Sequence, residues 1–253
     1  MDPWRLGGYH TLQYAYATVL PATARDPRAP PMSKIATGVR RLDGRPRDAF
    51  NVHLIEDVVL DAATRHGARR ILPQLRGVTV RAHALTHAHA DHQGSSAALC
   101  EALGVPLWAP AGEAAAVRSG AIGPLAPVNR ITTWQLGHWA GPGHPVVREL
   151  REGDEVAGFR VLETPGHSPG HLSYWREGDG VLIAGDVLFG RQPLTGRPGL
   201  HQPPARFTLD PAQNRRSIRR LAALEPRVVC FGHGPALRDP RRLAAFAAAL
   251  PAD

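Results

Sequence analysis

The chain has 253 residues, 43% of them hydrophobic, with 26 glycines and 24 prolines, a composition that buries one sizeable core and excludes a fibre, a coiled coil and a disordered chain. Its formal charge of +8 arises from 30 basic against 22 acidic residues, yet Lys34 is the one lysine and the arginines are scattered, so no nucleic-acid partner is expected. No run reaches the roughly 18 to 20 apolar residues of a membrane-spanning helix, and two cysteines, Cys100 and Cys230, are too few for a disulfide framework and read as buried thiols of a reduced, cytoplasmic protein.

Residues 1–31 read as an extension, loosely attached through the proline-rich stretch PATARDPRAPP at 21–31, with Met32 as an alternative start of translation. The opposing reading, an element packed on the domain, rests on Trp4, Leu6, Tyr9, Leu12, Tyr14 and Tyr16, which need burial. The apolar stretch from Leu12 to Ala24 is interrupted by Gln13, Tyr14 and Tyr16 and follows no strongly basic segment, so it does not read as a signal peptide. Residues 32–253 form the expected folded domain.

Within it, the runs Ile35–Leu42, Phe50–Ile55 and Val58–Asp61 predict three meandering strands. A helix over Thr64–Leu75, a strand over Arg81–Thr86, a helix over Gln93–Leu103, a strand over Pro106–Ala109 and a helix over Ala111–Ser119 follow. After a Gly/Pro-rich passage from Gly120 to Pro145, strands return at Phe159–Glu163, Leu172–Arg176 and Val181–Ala184. Asp210–Leu224 is a capped helix with Pro211 in its first turn, Arg227–Cys230 a strand and Asp239–Leu250 a terminal helix. Arg215, Arg216, Arg219 and Arg220 then fall on a solvated helix face. The order places the chain in the mixed α/β (α+β) class, as two sheets with outer helices, a four-layer αββα sandwich.

The segment LTHAHADHQG sets His87, His89, Asp91 and His92 between a predicted strand and a predicted helix. Side chains at i and i+2 of an extended backbone point to one side, so His87 and His89 can grip one ion, while Asp91 and His92, rotated by the turn into the helix, can reach a second. Three further residues follow apolar runs and lie beside glycine: His167 in TPGHSPGH, Asp186 in IAGDVLF and His233 in CFGHGP. A glycine there lets the backbone turn sharply and presents the side chain at the sheet edge. Together these make a set of seven ligands, enough for two ions sharing one carboxylate. Imidazole and carboxylate suit zinc and iron alike.

These motifs, in order from Asn51 to Pro235, resemble the metallo-β-lactamase superfamily. The resemblance implies an αββα catalytic domain over 32–253, a first metal held by His87, His89 and His167, a second by Asp91, His92 and His233, and Asp186 bridging them. It also implies that Asp61, at the end of VVLD, orders the metal loop from behind the ligands. True β-lactamases generally lack the acid that Asp186 supplies, and diiron flavoprotein relatives carry glutamate in place of His89, so the chain looks more like the glyoxalase-II-like and lactonase-like branches. No room remains for the extra domain of the RNA-cleaving branch.

The expected activity is therefore hydrolysis of a small ester, thioester or lactone by a hydroxide shared between two zinc ions, with Asp91 orienting the water and passing its proton on. A mononuclear iron enzyme resembling the persulfide dioxygenases, using the equivalents of His87, His167 and Asp186, is the main alternative, and β-lactam hydrolysis ranks below both. The loop Thr132–His144, with Trp134, His138, Trp139 and His144, is a candidate pocket wall, and Arg191, Arg197, His201 and Arg206 lie in a second loop, Phe189–Phe207, expected to overhang the metals. Among these, Arg191, His201 and Trp139 are the candidate contacts to a small-molecule substrate, and His171 is read as a residue behind the ligands, like Asp61. His10, His53, His66 and His83 take structural readings.

Overall fold

The computed structural model describes residues 32–44, 46–192 and 195–251, so the expectations for residues 1–31 lie outside the described residues. The run Ile35–Leu42 folds as a hairpin instead of one strand: β1 (Ser33–Ala36) and β2 (Val39–Leu42) meet at Thr37 and Gly38, where Gly38 takes a φ of 64° that suits glycine. The chain continues through β3 (Val52–Ile55), β4 (Val58–Leu60), α1 (Ala68–Gln74), β5 (Ala82–Ala84), α2 (Ala90–Gln93), α3 (Ser96–Leu103), β6 (Leu107–Pro110) and α4 (Ala114–Ser119). Then come α5 (Arg130–Trp139), β7 (Val146–Leu150), β8 (Glu155–Val156), β9 (Phe159–Glu163), β10 (Leu172–Arg176) and β11 (Val181–Gly185). A small hairpin of β12 (Phe189–Arg191) and β13 (Pro198–His201) precedes α6 (Pro211–Ala222), β14 (Val228–Phe231) and α7 (Pro240–Ala248).

Strands β1 to β7 form one sheet in sequence order, and β14-β11-β10-β9-β8 form the second. Their inner faces share a core of Val39, Ile55, Leu60, Phe159, Val161 and Tyr174 among others. The outer face of the first sheet buries Leu54, Val59, Leu85 and Leu107 against α1, α3 and α4, and the outer face of the second buries Leu182, Val229 and Phe231 against α6 and α7. This is the four-layer αββα sandwich, and each such fully buried aliphatic or aromatic side chain contributes roughly 1.5–3 kcal/mol. Cys100 and Cys230 are free and buried in separate clusters. Among the described residues no helix is long and apolar enough to cross a membrane.

Three departures from the expected elements have local causes. The helix predicted over Gln93–Leu103 is broken into α2 and α3 at Gly94 and Ser95, where a Cβ on Gly94 would stand 2.4 Å from Trp139 O and the Ser95 hydroxyl donates to Thr64 O. The passage Gly120–Pro145 contains α5, started by a capping box in which Asn129 accepts from Ile131 N and Thr132 N while the Thr132 hydroxyl accepts the Asn129 N–H. Strand β7 lacks a clear sequence signal because VVREL alternates imperfectly, with Val147 exposed between buried Val146 and half-buried Arg148.

The parallel strands β5, β11 and β14 end at the same edge of the sandwich, where the sheets are stitched together. Leu172 N donates to Thr86 O at 2.8 Å and the buried Tyr174 hydroxyl donates to Leu85 O at 2.7 Å, while the Asn51 amide donates to Phe231 O and Gly234 O, both at 2.8 Å. Replacing Tyr174 with phenylalanine leaves the Leu85 carbonyl without that donor, so Tyr174→Phe is expected to lower stability by about 1–2 kcal/mol in denaturant unfolding; an unchanged midpoint would remove the hydroxyl from the contacts joining the sheets.

Candidate metal centre

The turn after β5 carries His87 and His89 in extended backbone, and His89 is the N-cap of α2, whose first turn holds Asp91 and His92. His167 stands in the loop between β9 and β10, Asp186 directly follows β11 and His233 follows β14. The structure brings all seven side chains together. Three overlapping groups, His87/His89/His167, His87/His92/Asp186 and Asp91/His92/His233, each have ligand atoms within 4.8 Å of one another and could hold a metal ion. Asp186 Oδ2 lies 3.3 Å from His92 Nε2, 3.6 Å from His167 Nε2 and 3.1 Å from His233 Nε2. Gly232 permits this crowding, since a Cβ there would stand 2.0 Å from Asp186 Oδ1 and 2.7 Å from His92 Cε1.

Each of the five imidazoles is tied on the nitrogen facing away from the cluster. His87 Nδ1 bonds the Thr86 hydroxyl at 3.0 Å, which in turn donates to Asp61; His92 Nδ1 donates to Asp61 Oδ2 at 3.0 Å; His167 Nδ1 bonds Thr208 Oγ1 at 3.3 Å. His233 Nδ1 donates to the Ala49 carbonyl, and His89 is turned the other way, its Nε2 donating to Leu125 O at 2.9 Å. The opposite nitrogen of each ring faces the cluster, and that of His233 lies 3.3 Å from Asp91 Oδ2 and 3.1 Å from Asp186 Oδ2. Among the described residues the buried side-chain atoms without a hydrogen-bond partner include His87 Nε2, His92 Nε2, His167 Nε2 and Asp186 Oδ1. Orphaned buried atoms are costly unless something else satisfies them, and all four belong to residues of the three ligand groups, which fits bound cations.

The electrostatics agree. Burial, with the neighbouring imidazoles, holds His87 and His167 well below the usual histidine range. Burial also opposes charge on His92 and His233, but Asp186 and Asp61 outweigh it at His92, which lies well above that range, and Asp186 and Asp91 raise His233 to about 10. Burial pushes both carboxyls upward, yet the His233 bond and the His92 and His233 charges hold Asp91 at about 2, and the same two imidazoles keep Asp186 well below the usual carboxylate range. A potential that keeps protons on two imidazoles also favours a cation there.

Asp61 sits at the end of β4 with a positive φ of 63° and accepts the Thr86 N–H at 2.9 Å in addition to the Thr86 hydroxyl and His92. His171 contacts no inward ligand atom; its Nδ1 bonds the Thr164 hydroxyl and its Nε2 accepts the Asp186 N–H at 3.0 Å, and burial lowers its pKa to about 3. His53 and His83 are buried away from the cluster, each held near 4 chiefly by burial, and His10 lies outside the described residues.

Above the cluster lies a cavity of about 740 Å³ whose floor includes His89, Asp91, His167, Asp186 and His233. Trp139 and Arg191 line it, whereas His201, paired with Phe189 across β12 and β13, does not. Arg206 is exposed and Arg197 is exposed in the hairpin turn. Sequence reasoning overlooked the aromatic rim: Phe50 meets Trp139 edge-on at 5.3 Å and His233 at 5.6 Å, and Phe189 meets His233 at 4.8 Å. It also overlooked Glu113, a buried carboxylate that accepts the Ala88 N–H at 2.6 Å, the Gly170 N–H at 3.0 Å and the Ser168 hydroxyl. Glu113 thereby joins the loop of His87 and His89 to the loop of His167. An acid beginning an alanine-rich helix gives no sequence cue to such a role, because solvated acids are common there.

A sequence model of the metallo-beta-lactamase superfamily matches residues 51–233. The chain is similar to a probable metallo-hydrolase of Bacillus subtilis, YflN, at 30% identity over 79% of this chain and 84% of that protein. It is also similar to the hydroxyacylglutathione hydrolase of Methylobacillus flagellatus, at 32% identity over 70% of this chain but only 57% of that protein. Among solved structures, a metallo-beta-lactamase family protein of Thermus thermophilus superposes with a TM-score of 0.62 at 27% identity, covering 84% of this chain and 79% of the other. TTHA1623, solved in a di-iron-bound form, superposes with a TM-score of 0.58 at 32% identity, covering 80% and 94%.

Glu113→Ala strips the partner from two buried backbone N–H groups and one hydroxyl. The expected outcome is a loss of about 3 kcal/mol in denaturant unfolding and a metal affinity weakened roughly 10- to 100-fold, read by titration against a competing chelator. Wild-type values in both measurements would show that Glu113 does not hold the two loops in register.

Proposed function

The chain belongs to the metallo-beta-lactamase superfamily, and from that premise we propose that this metallo-hydrolase uses two zinc ions to cleave an ester, thioester or lactone. The observation that carries the proposal is the orientation of the imidazoles. His87, His89, His92, His167 and His233 each spend one nitrogen on the surrounding protein and turn the other into the ligand groups they share with Asp91 and Asp186 or with one another. In this reading His87, His89 and His167 would hold one ion and Asp91, His92 and His233 the other, and Asp186, within reach of both groups, would serve both. Asp91, His92 and His233 form a ligand group separate from His87, His89 and His167, and a single ion would leave one of the two groups unused, so the geometry favours the two-ion hydrolase over a mononuclear oxygenase. Histidine and carboxylate donors suit zinc, and the like fold of a di-iron protein makes iron the competitor to be tested.

When bound, two such ions lower the pKa of a water toward about 7 and polarise the carbonyl under attack. The protein does the rest. Asp91 faces the cavity, half-buried and 3.3 Å from His233, ionised at neutral pH and placed to orient a water and carry its proton to the leaving group. His171 holds Asp186 through its backbone N–H, and Asp61 holds His92 directly and His87 through Thr86, so the ligands need not reorganise during the reaction. Phe50 and Phe189 flank His233 and limit water at the floor. Thioesters enter the list because a hydroxyacylglutathione hydrolase is among the relatives.

The test is turnover of a panel of p-nitrophenyl esters, thioesters and lactones by zinc-loaded wild type and Asp91→Ala. The wild type is expected to hydrolyse at least one class, and the variant to lose on the order of 10³-fold or more in kcat. Normal turnover by Asp91→Ala would refute the role given to Asp91.

A further inference from the structure

Resting on the hydrolytic reading above, we infer that this enzyme selects its substrate by a medium-length, uncharged apolar acyl group lying along α5. Thr132, Leu136 and Trp139 line the cavity at i, i+4 and i+7, one face of that helix. Ile122, Phe207 and Phe50 are lining residues from other segments. Helix α5 buries none of its residues, unlike α6 and α7, whose apolar stripes enter the core. Instead Val128, Ile131, Trp134 and Leu136 are 89%, 42%, 51% and 37% exposed. Four large apolar side chains left in water within nine residues, contiguous with a reactive cavity, mark a surface for an apolar ligand.

The helix is held at its ends by polar contacts. Asn129 Nδ2 donates to Arg206 O at 2.7 Å, and Trp139 O accepts the Arg65 N–H at 2.7 Å. Trp139 packs against the core and Phe50, but the exposed Ile131, Trp134 and Leu136 do not complete the core and remain available to a ligand. Charge points the same way. Among the described residues lining the cavity, Arg191 is the one lysine or arginine, and its Nη1 donates to Arg47 O at 3.0 Å. A glutathione thioester, with two carboxylates and an ammonium group, would set most of its charges against apolar walls, and an unpaired buried charge is costly. An alkyl chain gains from the same walls, at about fourfold in affinity per buried methylene. Ten residues of helix span about 15 Å, a wall long enough for an acyl group of about eight carbons.

Hydrolysis of such a substrate joins the water oxygen to the acyl carbon, breaks the C–O or C–S bond and sends a proton to the departing alcohol or thiol. The product is the free alkanoic acid, which keeps its chain along α5 and so serves as a binding probe. Calorimetric titration of the zinc-loaded protein with acetate, butanoate, hexanoate and octanoate is expected to show affinity rising by up to about fourfold per methylene. Leu136→Gln should flatten that slope, and because α5 buries nothing the variant should fold normally. Val147→Gln changes an exposed apolar residue of β7 that does not line the cavity and should leave the slope in place. In parallel, kcat/KM for p-nitrophenyl octanoate should exceed that for the acetate by roughly 10²-fold or more, mainly through KM. Equal affinities for acetate and octanoate, or a slope indifferent to Leu136→Gln, would overturn the assignment even if esters are hydrolysed. A chain-length slope with no ester turned over would instead sink the hydrolytic reading and leave the acyl pocket standing.

Discussion

Five imidazoles and two carboxylates crowd together, five of the seven buried and Asp91 and His233 half-buried at the cavity floor, and the cost of burying them unpaired governs the structure around them. The protein meets that cost from outside the cluster. Asp61, Thr208, and the carbonyls of Ala49 and Leu125 each take one imidazole nitrogen or the hydroxyl that serves it, and His171 takes the Asp186 N–H. What is left facing inward includes His87 Nε2, His92 Nε2, His167 Nε2 and Asp186 Oδ1, buried atoms without a hydrogen-bond partner that a cation would satisfy. The ligands are thus fixed by hydrogen bonds that do not depend on the ion, which keeps the first layer of contacts rigid when the reacting charges change.

The sandwich supplies the positions. Parallel strands in both sheets end at one edge, so side chains distant in sequence emerge from β5, β11 and β14 at the same place. Bonds across that edge, from Leu172 to Thr86, Tyr174 to Leu85 and Asn51 to Phe231, join the sheets a residue or two from the ligands. Glu113 repeats the device between two loops. Backbone strain is present here as well: Asp61 and Ala63 are two of the six non-glycine residues with positive φ among the described residues, at the turn that aims Asp61 at Thr86 and His92.

Much of this was legible in the sequence, because the chemistry demands particular residue types at short spacings. His87, His89, Asp91 and His92 lie within six residues, and His167, Asp186 and His233 each follow an apolar run beside glycine, so strand ends and ligands announce one another. Strands β9 and β10 have the expected limits because both are bounded by turn residues. What escaped was carried by tertiary contact. The capping box of Asn129 and Thr132 was a sequence cue to α5, but surrounding prolines and glycines spoke for a loop. Glu113, Phe50 and Phe189 have roles set only by what the fold brings next to them, and His201 stays out of the cavity lining although it pairs with Phe189, which is part of it.

On the proposed reading the labour divides between a polar floor where bonds are broken and an apolar wall that sorts what reaches it. The floor is the central claim, and elemental analysis of the purified protein, counted per chain, tests it most directly. Two divalent ions per chain, about half of that metal lost on replacing His233 with alanine, is the result this account predicts. One ion per chain in the wild type, unchanged by that substitution, would contradict it.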